Sequence, residues 1–80
     1  MIKILFFAAA ADVFGAAKLE VDPGGSASVG DLLDRLACSH PGSRDLLSRS
    51  AVAVNERYVQ RSAPICSGDI IAIIPPVSGG

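Results

Sequence analysis

The 80-residue chain carries seven basic and eight acidic side chains for a formal charge of −1, and half of its residues are apolar. A domain this small buries only about 60% of the surface that its unfolded chain exposes. We therefore expect no enclosed active site, and we expect apolar surface left over for a partner. Nearly balanced charges without a basic stripe argue against a nucleic-acid-binding surface.

The chain lacks the patterns of membrane, metal and secreted proteins. No apolar run approaches the roughly 20 residues that span a bilayer, and the amino terminus leads into a strand without a signal-peptide pattern. These features predict a cytoplasmic protein that does not associate with membranes. Cys38 and Cys66 are too few for a disulfide framework or a zinc site, so we expect two reduced thiols and no bound metal.

The first quarter of the chain predicts an antiparallel hairpin. Residues 2–8 (IKILFFA) favour a strand that is apolar on both faces, residues 9–16 a loop or single helical turn, and residues 17–21 a short second strand. Gly24 and Gly25 then indicate a turn. A phosphate-binding loop is the weaker alternative, because neither G-x-G-x-x-G nor Gly-Lys-Ser/Thr surrounds them.

A helix is predicted to follow, with Ser28 as its N-cap and Asp31 in its first turn. Its apolar stripe has helical spacing and contains Val29, Leu32, Leu33, Leu36, Ala37 and His40. Pro41 and Gly42 end it. We expect His40 to cap carbonyl groups at the carboxyl end of the helix, with a catalytic or ligand role as the less favoured alternative.

The second half predicts strands at residues 51–54, 58–60 and 70–74, and a solvated turn or short helix at 43–50. Residues 70–74 (IIAII) lack polar alternation, which is typical of a central strand covered on both sides. The predicted fold class is α+β, a mixed sheet on one helix. Leu5 and Phe7, together with every second residue of 70–74 in one of its two alternate sets, then need a second cover. A partner protein is the simplest cover, and residues 43–50 or the loops are the alternatives.

The chain ends in PPVSGG. Pro75 and Pro76 keep the root of this tail out of helix and sheet, and six extended residues reach roughly 20 Å. Gly80 has no Cβ, so a partner's active site could close around the terminal carboxylate. The tail thus has the properties of a chemical handle, although an ordinary frayed terminus is the alternative.

The segments IKILFFA, SVGDLLDRLA, AVAVNERYV, SGDIIAIIPP and PPVSGG together resemble one family, the sulfur-carrier small subunits of molybdopterin synthase, which are ubiquitin-like β-grasp proteins. The resemblance spans the chain. It implies about five strands around one main helix, with the first and last strands parallel and adjacent. Residues 1–74 would form the β-grasp domain and residues 75–80 a flexible tail.

The resemblance also implies chemistry at Gly80. A ubiquitin-activating-type adenylyltransferase would consume ATP to adenylate its carboxylate, and a persulfide donor would convert it to a thiocarboxylate. The large, catalytic subunit of molybdopterin synthase would take this sulfur to form the dithiolene from cyclic pyranopterin monophosphate. No cofactor would stay bound. Gly79 and Ser78 would act as spacers, and the expected docking residues are Phe7, Ile73, Pro75, Pro76 and Val77.

Several alternatives stay open at this point. The chain could carry sulfur for thiamine or tRNA thiolation, act as a ubiquitin-like modifier, or be an interaction domain with an inert tail. A catalytic thiol is disfavoured, since Cys38 and His40 do not face each other at i, i+2 and Asp69 disfavours a thiolate at Cys66. Ala11 and Asp12 stand where many relatives have a basic residue and a glutamate, which leaves the charged partner contacts open.

Overall fold

The computed structural model describes residues 1–76 of the chain. These residues form β1 (Ile2–Phe6), α1 (Ala9–Phe14), β2 (Lys18–Val21), α2 (Val29–Ser39), a 3₁₀ helix (Pro41–Ser43), α3 (Arg44–Arg49), β3 (Ala51–Val54), β4 (Arg57–Val59) and β5 (Ile70–Ile74). Within that range, no helix has the length and apolar content needed to cross a membrane. All the predicted strands and the main helix are present, and α1 is a six-residue α-helix where the sequence predicts a loop or single turn.

The strands form one mixed sheet in the order β2-β1-β5-β3-β4. The first and last strands, β1 and β5, are parallel neighbours, whereas the pairs β1–β2, β3–β4 and β3–β5 are antiparallel. A parallel pair needs a long crossover connection, and here the rest of the chain between β1 and β5 supplies it. The predicted first hairpin and the central place of β5 are confirmed.

One face of the sheet forms the core together with α2. Ile4 of β1 lies opposite Ile71 of β5, and both are fully buried. The predicted stripe of α2 packs on them with five buried residues: Val29, Leu32, Leu33, Leu36 and Ala37. Burial of each large apolar side chain stabilises the fold by about 1.5–3 kcal/mol, so this layer is the main source of stability.

The amino end of α2 begins where its capping residues predict. The Ser28 hydroxyl accepts a hydrogen bond from the backbone N–H of Asp31 (3.3 Å), and the Asp31 carboxylate accepts one from the N–H of Ala27 (3.1 Å). The first bond satisfies one of the free N–H donors of the helix, and the second holds the residue before the cap. The helix start is therefore encoded locally.

The carboxyl end of α2 corrects the expectation for His40. The backbone N–H of His40 donates to the carbonyl of Leu36, which ends the helix, but the ring packs against Phe14 with centroids 4.7 Å apart. Its buried Nδ1 has no hydrogen-bond partner among residues 1–76. The side chain therefore belongs to an aromatic stack, in which Phe14 also lies 4.4 Å from Phe6, and Nδ1 caps no carbonyl.

Two further loop predictions had different outcomes. Gly24 forms the expected turn with a left-handed φ of 56°, and Arg35 fills the space around it by donating to the carbonyls of Asp22 and Pro23. The 43–50 segment, by contrast, was expected to be a solvated turn or short helix. It forms α3, and Leu47 on this helix is buried in the core. Because α3 packs beside α2, it thickens the helical layer and leaves the opposite sheet face uncovered.

Candidate functional site

The sheet face opposite the helices carries an open apolar groove. It has a volume of about 440 Å³ and is lined by Leu5, Phe7, Asn55, Glu56, Ile70 and Ala72. Phe7 is 48% exposed and Ile70 is 43% exposed, so two large apolar side chains of the central strands face solvent. The prediction that this face needs a cover from outside is consistent with the structure, because the described helices lie on the other side.

Strand register explains why the groove is shallow. Ala72 at the centre of β5 lies between Leu5 of β1 and Ala53 of β3, and directly paired residues share a sheet face. Two alanines therefore form a low floor. Tyr58 of β4 is paired with Ala53 and is 73% exposed, while Lys18 of β2 is paired with Leu5. The face is apolar at its middle and amphipathic at its edges.

One end of the groove is formed by the two-residue turn Asn55–Glu56 between β3 and β4. Both residues have positive φ, 51° and 71°, the backbone of a tight hairpin turn that usually contains Asn-Gly. The turn is fastened to β5. The N–H of Asn55 donates to the carbonyl of Ile70 (2.8 Å), and the N–H of Ile70 donates to Oδ1 of Asn55 (3.0 Å).

Asp69 extends this polar network away from the groove. Its carboxylate accepts hydrogen bonds from the backbone N–H of Cys66 (2.9 Å) and from Nδ2 of Asn55 (3.0 Å). The Cys66 N–H first, and then the Asn55 amide, hold the pKa of Asp69 below its ordinary value of 3.8. Both donors favour the ionised form, so the carboxylate acts as a link between the turn and the start of β5.

The variant Asp69→Asn is expected to lose about 1 kcal/mol of unfolding free energy at pH 7, measured by urea denaturation. A depressed folded-state pKa stabilises the fold above the unfolded value, and this contribution disappears as the pH falls through the folded pKa. The difference between wild type and variant should therefore shrink below pH 3.8. Asp34→Asn is the matched control, and a loss that is independent of pH would contradict the assignment.

The other end of the face lies near the root of the tail. Because β1 and β5 are parallel, Phe7 and the Pro75–Pro76 segment follow their strands at the same end of the sheet. Pro75 is buried and Pro76 is exposed. Val77, Ser78, Gly79 and Gly80 lie outside the described residues, so their expected roles stay predictions.

Two of the expected docking residues need correction. Ile73 is fully buried and faces α2, since it follows the same alternation as Ile71. Pro75 is also buried in the body of the domain. Neither side chain is available to a partner in the folded chain, whereas Phe7 and Pro76 are.

The cysteines do not form a catalytic centre. Both are free and exposed. Cys66 Sγ lies 3.7 Å from the Asp69 carboxylate, and the His40 ring is engaged with Phe14 rather than with Cys38. In residues 1–76, no cluster of His, Cys, Asp and Glu side chains is arranged to hold a metal ion.

Sequence reasoning missed Asn55 and Glu56 as residues of this surface, and it left open which alternate residues of β5, those with Ile70 or those with Ile71, belong to it. The predicted strands leave residues 55–57 as the turn, whereas the structure has a two-residue turn, because β4 begins at Arg57. A two-residue hairpin turn of type I′ requires positive φ at both of its positions. Ile70 had no such signal, because every residue of β5 is apolar. Only the pairing of β5 with β1 shows that Ile70 and Ala72, rather than Ile71 and Ile73, lie on the open face.

The chain is similar throughout its length to known proteins. A model of the ThiS family matches residues 4–80. The molybdopterin synthase sulfur carrier subunit of Chlamydomonas reinhardtii is 36% identical, covering 99% of this chain and 98% of that protein. Its counterpart in Dictyostelium discoideum is 40% identical, covering 98% and 94%.

A solved structure shows the same fold. The crystal structure of SAMP1 from Haloferax volcanii is 32% identical, with a TM-score of 0.85 over 99% of this chain and 98% of that one. The ubiquitin-like β-grasp class is thereby confirmed, with its mixed five-stranded sheet and one main helix. By its family match and these relatives, the chain belongs to the ThiS family of small sulfur carriers.

Proposed function

We propose that this protein is the sulfur-carrier subunit of molybdopterin synthase and that Gly80 is the residue that carries sulfur. The observation that carries the proposal is the position of the tail root. The central strand β5 runs directly into Pro75–Pro76 at the edge of an open apolar face, and the sequence then ends in Gly79–Gly80. Similarity to two proteins named molybdopterin synthase sulfur carrier subunit supports it.

The chemistry requires activation of the Gly80 carboxylate, which by itself is a poor electrophile toward sulfur nucleophiles. The Gly80 carboxylate attacks the α-phosphorus of ATP on an adenylyltransferase of the ubiquitin-activating type, and pyrophosphate leaves. The outer sulfur of a persulfide then bonds to the acyl carbon as AMP leaves. A thiol finally cleaves the sulfur–sulfur bond to release the thiocarboxylate. Adenylation thus replaces one difficult substitution at a carboxylate with easier steps. We place the activating enzyme and its ATP in the cytoplasm.

The carrier itself contributes the delivery of sulfur, on Gly80, to the active sites of its partners. The tail has no side chain that could act as an acid or a base, so proton transfer and oxyanion stabilisation come from the partners. The large synthase subunit would receive Gly80 and transfer its sulfur to cyclic pyranopterin monophosphate.

The length of the tail limits where the partner can sit. Four residues after Pro76 extend at most about 13–14 Å, so any active site that reaches Gly80 lies within that distance of Pro76. Phe7 and Pro76 therefore lie in the docking surface, with Val77 following them along the tail.

Mass spectrometry of the intact protein tests the loading step. After incubation with ATP, the cognate adenylyltransferase and a persulfide donor, we expect one oxygen of the carrier to be replaced by sulfur, at Gly80. Omission of ATP is the control. An unchanged mass with an enzyme that loads another carrier would overturn the proposal.

A second candidate is a protein modifier, which the similarity to SAMP1, the small archaeal modifier protein 1 of Haloferax volcanii, favours. It shares the activated Gly80, but its product would be an isopeptide bond to a lysine. Adding the loaded carrier to the large subunit and precursor, and measuring molybdopterin, separates these functions. A parallel assay measures the thiazole of thiamine and thiolated tRNA. Formation of molybdopterin supports the first proposal, and an inert tail would yield none of these products.

A further inference from the structure

We infer that Glu56 is a recognition residue that pairs with a cation of the large synthase subunit at the end of the groove far from the tail. The inference rests on the proposed function and adds a specific contact to it. Glu56 is the charged residue among the six that line the groove. It lies beside Ile70, at the opposite end of β5 from Pro75.

The hairpin turn requires a left-handed backbone at position 56, but it does not require a glutamate there. Its φ of 71° lies in the left-handed region, where a residue with a Cβ is disfavoured and glycine is favoured. Asn55 tolerates this conformation better, and its side chain is used in the polar network. Strain of this kind is found at functional sites, and a glycine here would serve the hairpin better.

The Glu56 side chain has no structural use within the described part of the chain. Its carboxylate makes no hydrogen bond or ion pair with residues 1–76, where the ion pair formed is between Arg49 and Asp45. Glu56 is exposed, and its neighbour in the turn is held by three hydrogen bonds to Asp69 and Ile70. The carboxylate is thus presented from a fixed backbone, which lowers the ordering cost of a contact with a partner.

The apolar residues of the groove determine which chemical group of a partner would contact the Glu56 carboxylate. Leu5, Phe7, Ile70 and Ala72 make an apolar surface that a partner would cover by excluding water. Covering it also desolvates the carboxylate, which costs several kcal/mol unless a positive charge is brought to it. The fitting partner surface therefore has an apolar ridge with an Arg or Lys at one end.

The geometry favours the protein that receives the tail as this occupant. Phe7 lies at the tail end of the groove, and Glu56 lies near Ile70, about 13 Å away along β5 at 3.3 Å per residue. A partner anchored at both ends would bind the carrier in a single register. Glu56 would then determine affinity and orientation while remaining distant from the reacting carboxylate of Gly80.

The test measures the affinity of the carrier for the cognate large subunit, by calorimetry at low and high salt. Glu56→Gln is expected to raise the Kd about tenfold at low salt and to flatten its salt dependence. Glu56→Gly is expected to raise the melting temperature by about 4 °C while weakening binding by a similar factor. Asp34→Asn, which removes an acid on α2, is the control for net charge and should bind as the wild type does.

The Glu56→Gly variant separates recognition from folding, because a more stable carrier that binds less tightly cannot be explained by unfolding. In synthase assays, Glu56→Gln should raise the carrier concentration that gives half-maximal rate more than it lowers the maximal rate. Wild-type affinity in both Glu56 variants would overturn the inference. So would weakening confined to the adenylyltransferase or to carrier self-association.

These outcomes are distinct from failure of the proposed function. If the wild-type carrier delivers no sulfur to the precursor, the proposed function fails whatever the Kd values are. If the wild type delivers sulfur and Glu56→Gln binds as tightly as it does, the recognition role alone fails.

Discussion

A single phenylalanine appended after Gly80 is expected to abolish sulfur loading, lowering its rate at least about a hundredfold. The extension moves the reactive carboxylate about 3.5 Å along the chain and places a bulky side chain where glycine leaves space for the adenylating enzyme. Misplacement of a reacting group by about 1 Å can already cost a hundredfold in rate. Intact-mass measurement of thiocarboxylate over time, with ATP, adenylyltransferase and persulfide donor, gives the rate.

The extended carrier also provides its own rescue control. A carboxypeptidase that removes terminal aromatic residues should restore the Gly80 terminus and, with it, sulfur loading. Circular dichroism of the extended carrier should match the wild type, since the added residue changes none of the helices and strands described over residues 1–76. Undiminished loading of a carrier whose mass proves that the extension is intact would remove Gly80 from the chemistry.

Replacement of Ile71 by alanine is expected to lower the free energy of unfolding by about 3–4 kcal/mol. Ile71 is fully buried in the central strand, opposite Ile4, and Ile→Ala substitutions in cores cost about 2–5 kcal/mol because of lost burial and the cavity that remains. Small domains have only about 5–15 kcal/mol in total. Urea denaturation at neutral pH measures the loss.

The adjacent residue supplies the matched control. Ile70→Ala makes the same chemical change on the same strand, but Ile70 is 43% exposed on the groove face, so the expected loss is below about 1 kcal/mol. The Ile70 variant should instead weaken binding to the large subunit. Equal destabilisation by the two substitutions would mean that the groove face is part of the core.

Much of the fold was predictable because its signals are local. The cap formed by Ser28 and Asp31 and the stripe from Val29 to Ala37 are short-range patterns, and both are confirmed. The strand boundaries were close for the same reason. His40 shows the limit of such patterns, since its position suggested capping by the ring while Phe14, 26 residues earlier in the chain, determined how the ring packs.

The candidate site was less predictable than the fold. Phe7 was found from the two-faced apolar pattern of β1, but the same reasoning selected Ile73, which lies in the core. An entirely apolar strand carries no alternation from which its exposed side can be recognised. Glu56 was missed because its significance depends on a φ value and on the groove beside it.

The amino-acid sequence by itself determined the tail and the family resemblance, because a terminal Gly-Gly after two prolines is a covalent feature that needs no partner to be recognised. It also determined where α2 begins, through hydrogen bonds between residues three or four apart. Only the tertiary structure decided which face of β1 and β5 is open and that Asn55 fastens the turn to β5. The physical reason is that these features arise from contacts between distant segments, whose register depends on packing of the whole sheet against α2.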